Sequence, residues 1–449
     1  MQNIIESLRE EMTATLARWI QIPSVKGDPA PGAPFGVEVR RALDAALADA
    51  AAMGFEVRNF DGYAGDVRMG PLGVDPIAIL AHLDVVPTGD GWERDPYGAQ
   101  IADGKMYGRG TSDDKGPAAA ALYAMYALKK AGVPLKREVR LILGCDEESG
   151  WGCMDYYAQH CDMPRVGFSP DANFPVINTE KGMLHLDLHG EYCHTGLRVK
   201  EISVGERCNV VPGLASALVY GDEALCEQIA QCGVEAKTEL KDGLVKISTE
   251  GVPGHAAFPW NTRNALGQLL LVLKAVGVEG ALATLADCVG MEFDGKSLGI
   301  KCEDNTSGPL TCNMGILRYN EQDGLYATLD IRYPILASHT ALLKCITDAL
   351  APCVTVTVDS QKDPHHVAPN SLLVKALMSA YAEVTGDTES KPMAIGGGTY
   401  AKVLEEGVAF GSLFLDEEEL AHQANECIDL ENLFKNLYIF VRAIENLQG

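Results

Sequence analysis

The sequence has few positive charges and no basic run. Of its 449 residues, 37 are Lys or Arg and 62 are Asp or Glu, which gives a formal net charge of −25 at pH 7. Nucleic acids and anionic membrane surfaces both attract clusters of Lys and Arg. The charge balance therefore argues against either as the main partner, and we expect no nucleic-acid and no membrane partner.

Long apolar runs are also missing. The longest nearly apolar stretch extends from Pro117 to Leu128 and is followed by Lys129 and Lys130, whereas a bilayer span needs ~18 or more such residues. Charged side chains interrupt residues 1–25, so the apolar segment of a signal peptide is absent. The 13 cysteines include no Cys-x-x-Cys pair, which favours reduced thiols. We predict a cytoplasmic protein without a transmembrane segment.

Between about Asp75 and Thr179, short apolar runs alternate with helical stretches, which is typical of an α/β layer. Residues 77–83 and 139–144 are apolar enough to be buried strands. Residues 117–131 form an Ala-rich amphipathic pattern that starts at a Pro and precedes a Gly, as helices do. Polar residues after such strands lie where open α/β sheets build their sites.

The pattern changes after Lys181. Residues 184–188 and 325–332 alternate apolar and polar side chains, which predicts half-exposed antiparallel strands. From Ser371 onward a helix, a Gly-rich turn, a strand over residues 408–414 and a closing helix follow. We therefore predict an α/β fold whose catalytic domain, residues 1–183 and 368–449, has a central, mostly parallel sheet with helices on both faces. An α+β lid domain, residues 184–367, interrupts it.

Several segments near the predicted strand ends carry imidazole or carboxylate groups, and each has an ordinary explanation when taken alone. A His-x-Asp triplet is common by chance, an Asp before a helix is often an N-cap, and consecutive acids often face water. Together they provide the mixed ligand set that suits zinc, manganese or cobalt. The segments are His82-Leu83-Asp84, GRGTSDDKG around Asp113 and Asp114, Asp146-Glu147-Glu148, Ser169-Pro170-Asp171, and His422 in AHQANE.

Two other features offer rival sites. His185, Asp187 and His189 lie on one face of a predicted strand and could chelate a metal, although a solvated strand face is the preferred interpretation. Gly396 to Gly398 could cradle a phosphate, but no Lys-Ser/Thr follows at the P-loop spacing. A turn that lets the backbone approach a substrate fits this segment better.

A whole set of motifs, in order and along nearly the whole chain, resembles a known family. It resembles the di-zinc metallopeptidases that include aminoacylases, succinyl-diaminopimelate desuccinylase and carboxypeptidase G, and within them it is most similar to PepV-type bacterial dipeptidases. The motifs are HLDVVP from His82, GDGWERDPYGAQIADGKMYGRGTSDDKGP, CDEESGWGCMDYY, SPDANFP with INTEKG, DIRYP, GGGTYAK and HQANE.

The resemblance implies the metal ligands residue by residue. His82 and Asp171 would hold one zinc, Glu148 and His422 would hold the other, and Asp113 would bridge both. Zinc is the implied metal, with manganese or cobalt as possible substitutes.

The resemblance also implies residues that act beside the metals. Asp84 would orient His82, and Glu147 would be the general base. The peptide bond between Asp113 and Asp114 would be cis.

From the lid, the resemblance implies substrate-binding residues. His255 in GVPGHAAFP would stabilise the oxyanion, with Asn209 in NVVP as its neighbour in that task. Arg332 would grip the C-terminal carboxylate of the substrate, because an arginine fork suits a carboxylate. A surface salt bridge with Asp330 is the alternative for this arginine. Gly397 and Gly398 would contact the substrate.

The expected activity is therefore hydrolysis of dipeptides with a free N-terminus by a metal-dependent hydrolase. An N-acyl amino acid amidohydrolase is the alternative within the same chemistry, and a metal- or partner-binding protein without catalysis is the alternative outside it. The lid is large enough to favour a monomer, with a dimer formed through the lid as the other possibility.

Overall fold

The computed structural model describes residues 1–449 and separates them into two compact units. The sequence predicts the second unit over residues 184–367. In the structure the second unit begins at Thr179 and also includes residues 394–397, whose Ile395 carbonyl accepts a hydrogen bond from the Lys181 N–H at 3.0 Å. The first unit comprises Met1–Asn178, Val367–Met393 and Gly398–Gly449, and the second comprises Thr179–His366 and Ala394–Gly397.

The helices and strands are numbered in chain order. The α-helices are α1 Gln2–Ile20, α2 Val37–Ala52, α3 Lys115–Lys130, α4 Gly152–His160, α5 Glu223–Gln231, α6 Ala265–Ala275, α7 Ala281–Cys288, α8 His339–Leu350, α9 Leu372–Thr385 and α10 Leu430–Asn446. The strands are β1 Glu56–Phe60, β2 Ala64–Met69, β3 Ile77–His82, β4 Gln100–Ala102, β5 Lys105–Tyr107, β6 Val139–Gly144, β7 Val166–Ser169, β8 Ala172–Asn173, β9 Ile177–Glu180, β10 Gly182–Gly190, β11 Val199–Val204, β12 Val210–Val211, β13 Leu214–Tyr220, β14 Lys237–Lys241, β15 Leu244–Glu250, β16 Gly254–His255, β17 Glu303–Asp304, β18 Gly308–Pro309, β19 Thr311–Asn320, β20 Gly324–Tyr333, β21 Thr355–Lys362, β22 His365–His366, β23 Met393–Ile395, β24 Glu406–Ala409, β25 Ser412–Leu413 and β26 Cys427–Asp429.

The first unit is built on a sheet with the strand order β1-β2-β6-β3-β7-β24. Neighbouring strands from β6 to β24 are parallel, whereas β1 and β2 join the edge in antiparallel pairs. Strands β3 and β6 are buried along their whole length, which explains their continuous apolar sequences. The predicted α/β fold and its parallel centre are confirmed.

Helix α3 lies at the centre of the helical packing in the first unit. It packs against α1 and α10, and its run of small alanines is buried throughout, so neighbouring helices approach closely. One prediction for this unit is wrong: residues 408–414 form two strands, β24 and β25, instead of one. Gly411, with φ at 83°, interrupts the extended conformation between them.

The second unit is built on an antiparallel sheet with the order β14-β15-β13-β11-β19-β20-β10-β21. The predicted antiparallel strands are confirmed, but β20 is not half-exposed. Its polar residues Thr328, Asp330 and Arg332 are 5%, 0% and 4% exposed. Asp330 and Arg332 pair with each other, so these two charged side chains are buried with their hydrogen bonds made, whereas the buried Thr328 hydroxyl has no hydrogen-bond partner.

All 13 cysteines of the chain are free thiols. None of its helices is both long and apolar enough to cross a membrane.

Two buried ion pairs join β2, β6 and α4 in the first unit. Arg68 donates to both carboxylate oxygens of Asp66, and Arg140 donates through Nε to Glu138 at 3.0 Å. The Tyr157 hydroxyl donates to Asp66 at 2.9 Å and accepts from Arg140 at 3.2 Å, which links the two pairs. Because every one of these groups is buried, the loss of any partner leaves a charge or dipole without solvation.

We expect Arg68→Leu to lower the free energy of unfolding by about 3–5 kcal/mol, because it leaves the buried Asp66 carboxylate without its cation. The exposed pair of Arg58 with Glu56 provides the control, and Arg58→Leu is expected to cost under about 1 kcal/mol. Urea denaturation followed by tryptophan fluorescence measures both. Equal costs for the two variants would contradict this account of the buried cluster.

Candidate active site

Three parallel strands bring the predicted site residues of the first unit to one edge of the sheet. His82 is the last residue of β3, Asp171 follows β7, and Glu147 and Glu148 follow β6. Because β6, β3 and β7 are parallel neighbours, their carboxyl ends lie side by side. This is the arrangement that the sequence predicts for these segments.

The Asp113 carboxylate lies between the two imidazoles. Its Oδ1 is 2.9 Å from His82 Nε2, and its Oδ2 is 3.0 Å from His422 Nε2. His82 Nε2 also lies 3.6 Å from an Asp171 oxygen, and His422 Nε2 lies 3.0 Å from a Glu148 oxygen. These side chains form two groups that share Asp113, and within each group the potential ligand atoms lie within 4.8 Å of one another. One group is His82, Asp113 and Asp171, and the other is Asp113, Glu148 and His422.

The imidazoles respond strongly to this cluster of carboxylates. Burial alone would lower the pKa of His422, but the hydrogen bonds that its imidazole donates to the Asp113 and Glu148 carboxylates raise the pKa to about 11. The pKa of His82 is likewise raised well above its usual value, because Asp113 and Asp84 outweigh its burial. The same imidazoles hold the pKa of Asp113 well below its usual range, against the effect of burial.

The raised pKa values of the remaining carboxyl groups indicate that the cluster carries an excess of negative charge. Burial and the nearby Asp113 raise the pKa of Asp171 to about 7, and the same two causes raise the pKa of Glu148. In the cation-free chain, protons therefore offset part of the negative charge. A divalent cation in each ligand group would replace them, and imidazole with carboxylate is a donor set that zinc, manganese and cobalt accept. The residues present thus fit divalent metal ions.

Glu147 precedes Glu148 in the loop after β6 and is held by its own set of contacts. Burial and the charge of Asp171 raise its pKa well above the usual range. Trp151 Nε1 donates to the Glu147 carbonyl at 3.0 Å and to its Oε1 at 3.1 Å, which fixes the side chain. Tyr400, in the GGGTYAK motif, packs edge-on against Trp151 and so supports the side chain that holds Glu147.

The position of Asp84 adds to the role that the resemblance implies. His82 Nδ1 bonds to the backbone carbonyl of Asp84 at 2.9 Å, while the Asp84 carboxylate is farther away at 3.5 Å. That carboxylate accepts instead from the backbone N–H groups of Glu147 and Glu148, at 3.2 and 3.1 Å. Asp84 therefore positions the Glu147-Glu148 loop as well as the imidazole.

Two further acids prove to be structural. The bond between Asp113 and Asp114 is cis. Asp114 is fully buried at the start of α3, and its carboxylate accepts from the backbone N–H of His82 at 3.0 Å. Asp146, the first acid of its triplet, forms an ion pair with Lys26 at 2.7 Å.

Sequence reasoning missed Glu426, which holds the loop that carries Asp113. Its fully buried carboxylate accepts from the backbone N–H groups of Gly110 and Ser112 at 3.0 and 2.9 Å, and from the Ser112 hydroxyl at 3.0 Å. Arg109 donates to the other oxygen at 2.5 Å. The only sequence signal was its place in HQANE, four residues after His422.

The second unit places two of its predicted residues next to each other. Val210 pairs with His255 between β12 and β16, and the Ala256 N–H donates to the Asn209 carbonyl at 2.9 Å. The imidazole of His255 is exposed, and its Nδ1 accepts from the Ala257 N–H at 3.1 Å. A neutral imidazole in that state carries its proton on Nε2 and is a donor there.

The guanidinium of Arg332 is buried and directed at Asp330. Nε and Nη2 donate to the two Asp330 oxygens at 2.6 and 2.8 Å, and Nη1 donates to the Gly396 carbonyl at 3.1 Å. The salt bridge considered from the sequence exists, but in the interior and not at the surface. Of the two predicted glycines, Gly397 lies beside the Ile395 side chain, whose Cδ1 is 3.7 Å from the position of an added Cβ, and Gly398 begins the last segment of the first unit.

The fold, with imidazole and carboxylate groups gathered at the carboxyl edge of a parallel sheet, is consistent with a metal-dependent hydrolase. Residues 78–446 match the model of peptidase family M20/M25/M40. "Putative dipeptidase YtjP" of Bacillus subtilis is 37% identical over 457 residues, covering 98% of this chain and 97% of that protein. "Putative dipeptidase SSP1012" of Staphylococcus saprophyticus is 34% identical, with 95% of both chains covered.

A solved structure shares the fold. The crystal structure of human carnosine dipeptidase 1 superposes with a TM-score of 0.62 at 17% identity, covering 99% of this chain and 97% of that one. The chain belongs to peptidase family M20/M25/M40. It is a metal-dependent hydrolase acting on peptide bonds, and its family uses divalent metal ions.

We expect Glu426→Gln to weaken divalent-metal binding by about 10–100-fold, because a Gln has one acceptor oxygen for donors that now use two. Competition against a chromogenic chelator measures the affinity. Glu418→Gln, at an exposed position of the same segment, is the matched control and is expected to bind as the unmodified chain does. An unchanged affinity in Glu426→Gln would contradict the positioning role.

Metal binding is expected to release protons. In the cation-free chain the pKa of His422 is raised to about 11 and that of Asp171 to about 7, so both groups hold protons at pH 6 that a cation must displace. The affinity should therefore rise between pH 6 and pH 8. Calorimetry in buffers of different ionisation enthalpy counts the protons, and binding without proton release would contradict the assignment.

Proposed function

We propose that this chain hydrolyses dipeptides with a free N-terminus, using two divalent cations for which zinc is the first candidate and manganese or cobalt are substitutes. One observation carries the proposal: Asp113 directs one carboxylate oxygen toward each of two His and carboxylate groups. A shared carboxylate of this kind suits a pair of cations better than a single one. Dipeptides are proposed because related chains of nearly equal length are named as dipeptidases.

The metal ions would supply a nucleophilic water at neutral pH and polarise the scissile carbonyl. We assign the other steps to side chains. Glu147 would accept the proton of the attacking water and pass it to the departing amine. Burial raises its pKa, which is the direction that makes a carboxylate a stronger base for this proton transfer. Trp151 keeps the carboxylate in one orientation during both transfers.

His255 would donate from Nε2 to the oxyanion that develops on the substrate carbonyl. The hydrogen bond from the Ala257 N–H to Nδ1 supports this, because it selects the neutral tautomer with a proton on Nε2. Asn209 on the adjacent segment would assist. Both residues belong to the second unit.

Arg332 would recognise the C-terminal carboxylate of the dipeptide, with the backbone at Gly397 and Gly398 passing close to the substrate. Nε and Nη2 of the guanidinium donate to Asp330, and Nη1 donates to the Gly396 carbonyl and the Met183 sulfur. We therefore assign the substrate only the one N–H group of Nη2 that is left. This reduces the bidentate grip expected from the sequence to a more limited contact. The pair with Asp330 would then hold the Arg332 guanidinium rigidly in place.

The N-acyl amino acid amidohydrolase keeps one observation in its favour. A dipeptidase needs an acceptor for the substrate α-amine, and Asp114, the acid next to Asp113, is a candidate for it. Asp114 is fully buried and bonded to the His82 backbone. An acyl substrate needs no such acceptor.

We further propose a monomer in the cytoplasm, with a dimer through the second unit as the alternative. The free thiols of all 13 cysteines support a reducing compartment. Light scattering of the purified chain tests the oligomeric state.

The first test compares an Ala-Xaa dipeptide with its N-acetylated counterpart, with zinc or manganese present and again after chelation. We expect metal-dependent release of free amino acid from the unmodified dipeptide only. Preferential cleavage of the acetylated compound would identify an amidohydrolase. Cleavage of neither compound would contradict both activities.

Glu147→Gln is expected to lower kcat by about 10²–10⁴-fold, because the amide cannot take up the proton of the attacking water. Metal content, measured by mass spectrometry of the dialysed protein, should stay unchanged because Glu147 is not assigned as a ligand. Glu148→Gln should instead lose metal along with activity. If Glu147→Gln kept full kcat, another group would have to be the base.

A further inference from the structure

A second group of potential metal ligands lies in the second unit, and only its Asp330 is linked to the proposed mechanism, through its pair with Arg332. His185 on β10 is paired in register with Asp330 on β20, and Cys208 lies in the segment before β12. One ligand atom from each of these side chains lies within 4.8 Å of the others. His185 is the residue whose strand face the sequence suggests as a rival chelating site, but its neighbours here differ from Asp187 and His189.

The imidazole of His185 is oriented toward the centre of this group. Its Nδ1 lies 3.0 Å from the Ser360 hydroxyl on the neighbouring strand β21. Its Nε2 is buried, has no hydrogen-bond partner and lies 3.5 Å from Asp330 Oδ2. A buried nitrogen without a partner is costly, so such an atom facing a carboxylate calls for an explanation. The bond to the other ring nitrogen is how metal-binding histidines are commonly oriented.

The other two ligands are held just as firmly. The Asn313 side chain donates to the carbonyls of Cys208 and Val210, both at 3.1 Å, so the segment that carries the thiol is fixed to β19. Asp330 is fully buried and accepts from Arg332 through both oxygens. An ionised carboxylate has about four lone-pair sites, so Asp330 retains acceptor capacity for a cation.

The ionisable groups here can compensate the charge of a bound cation. Burial, with the charge of Asp330 as the second cause, raises the pKa of the Cys208 thiol, so the thiol keeps its proton at neutral pH unless a cation displaces it. A borderline-soft cation would displace that proton and bind the thiolate. The guanidinium of Arg332 already neutralises Asp330, so the incoming charge would be offset mainly by the thiolate.

We propose that His185 Nε2, Cys208 Sγ and an Asp330 oxygen form a third cation site, in the second unit, for a borderline-soft divalent ion such as zinc or cobalt. A nitrogen, sulfur and oxygen donor set disfavours magnesium and calcium, which take oxygen ligands. Three protein ligands leave a fourth position open. The inference goes beyond the proposed function, because His185 and Cys208 have no part in it and Asp330 enters it only through its pair with Arg332.

Cobalt tests the proposal because it reports the thiolate ligand by absorption. Cobalt is titrated into the metal-free full chain, and we expect a thiolate-to-cobalt charge-transfer band in the near ultraviolet. The Asp113 cluster contains no cysteine and cannot produce that band. Cys208→Ser and His185→Gln should each remove or strongly weaken the band while the visible bands of cobalt in the Asp113 cluster remain. Cys345→Ser, at an exposed thiol, is the matched control and should keep the band.

A second measurement uses the unmodified chain, so that it does not depend on whether the variants fold. Cysteine alkylation by iodoacetamide, mapped by mass spectrometry, should slow at Cys208 when cobalt or zinc is present and stay unchanged at Cys345. Absence of the band in the unmodified chain, persistence of the band in a folded Cys208→Ser, or equal alkylation of Cys208 with and without metal would each overturn the proposal.

Discussion

Concentrated negative charge at the carboxyl edge of the parallel sheet is the constraint on which the active site depends. Six carboxyl groups lie within or beside it, and no Lys or Arg forms an ion pair with any of them; they are Asp84, Asp113, Asp114, Glu147, Glu148 and Asp171. The fold accommodates them in separate ways. Asp84 and Asp114 accept from backbone N–H groups. The others leave a deficit of positive charge that protonated imidazoles fill only in part, and this deficit is what selects divalent cations.

Much of this site could be predicted from the sequence because its parts are local. A buried apolar strand followed at once by a polar residue fixes both the fold and the place of His82, and the same holds for Glu147, Glu148 and Asp171. Glu426 could not be predicted in the same way. Its carboxylate supports a loop 316 residues earlier in the chain, and no local pattern separates such a buried acid from one that faces water.

The second unit shows the opposite limit. Alternating apolar and polar residues correctly predicted the antiparallel strand β20, because the side-chain period belongs to the backbone. It could not show that the polar face is buried, because Asp330 satisfies Arg332 on the same strand and the pair needs no water. The same pattern pointed to His185 with Asp187 and His189, but it could not show that Cys208 and Asp330, from other segments, lie beside His185. In each case the fold was more accessible from sequence than the environment of a polar side chain.

The order of the site residues along the chain has a consequence for biosynthesis. His82, Asp113, Glu148 and Asp171 all precede residue 179, but His422 and Glu426 belong to the last segment of the first unit, together with α10, which packs on α3. During translation, the entire second unit is made before His422, Glu426 and α10 exist. The early residues of the candidate site therefore gain these late partners only when synthesis is almost complete, and the side of α3 that packs on α10 stays uncovered for the same interval.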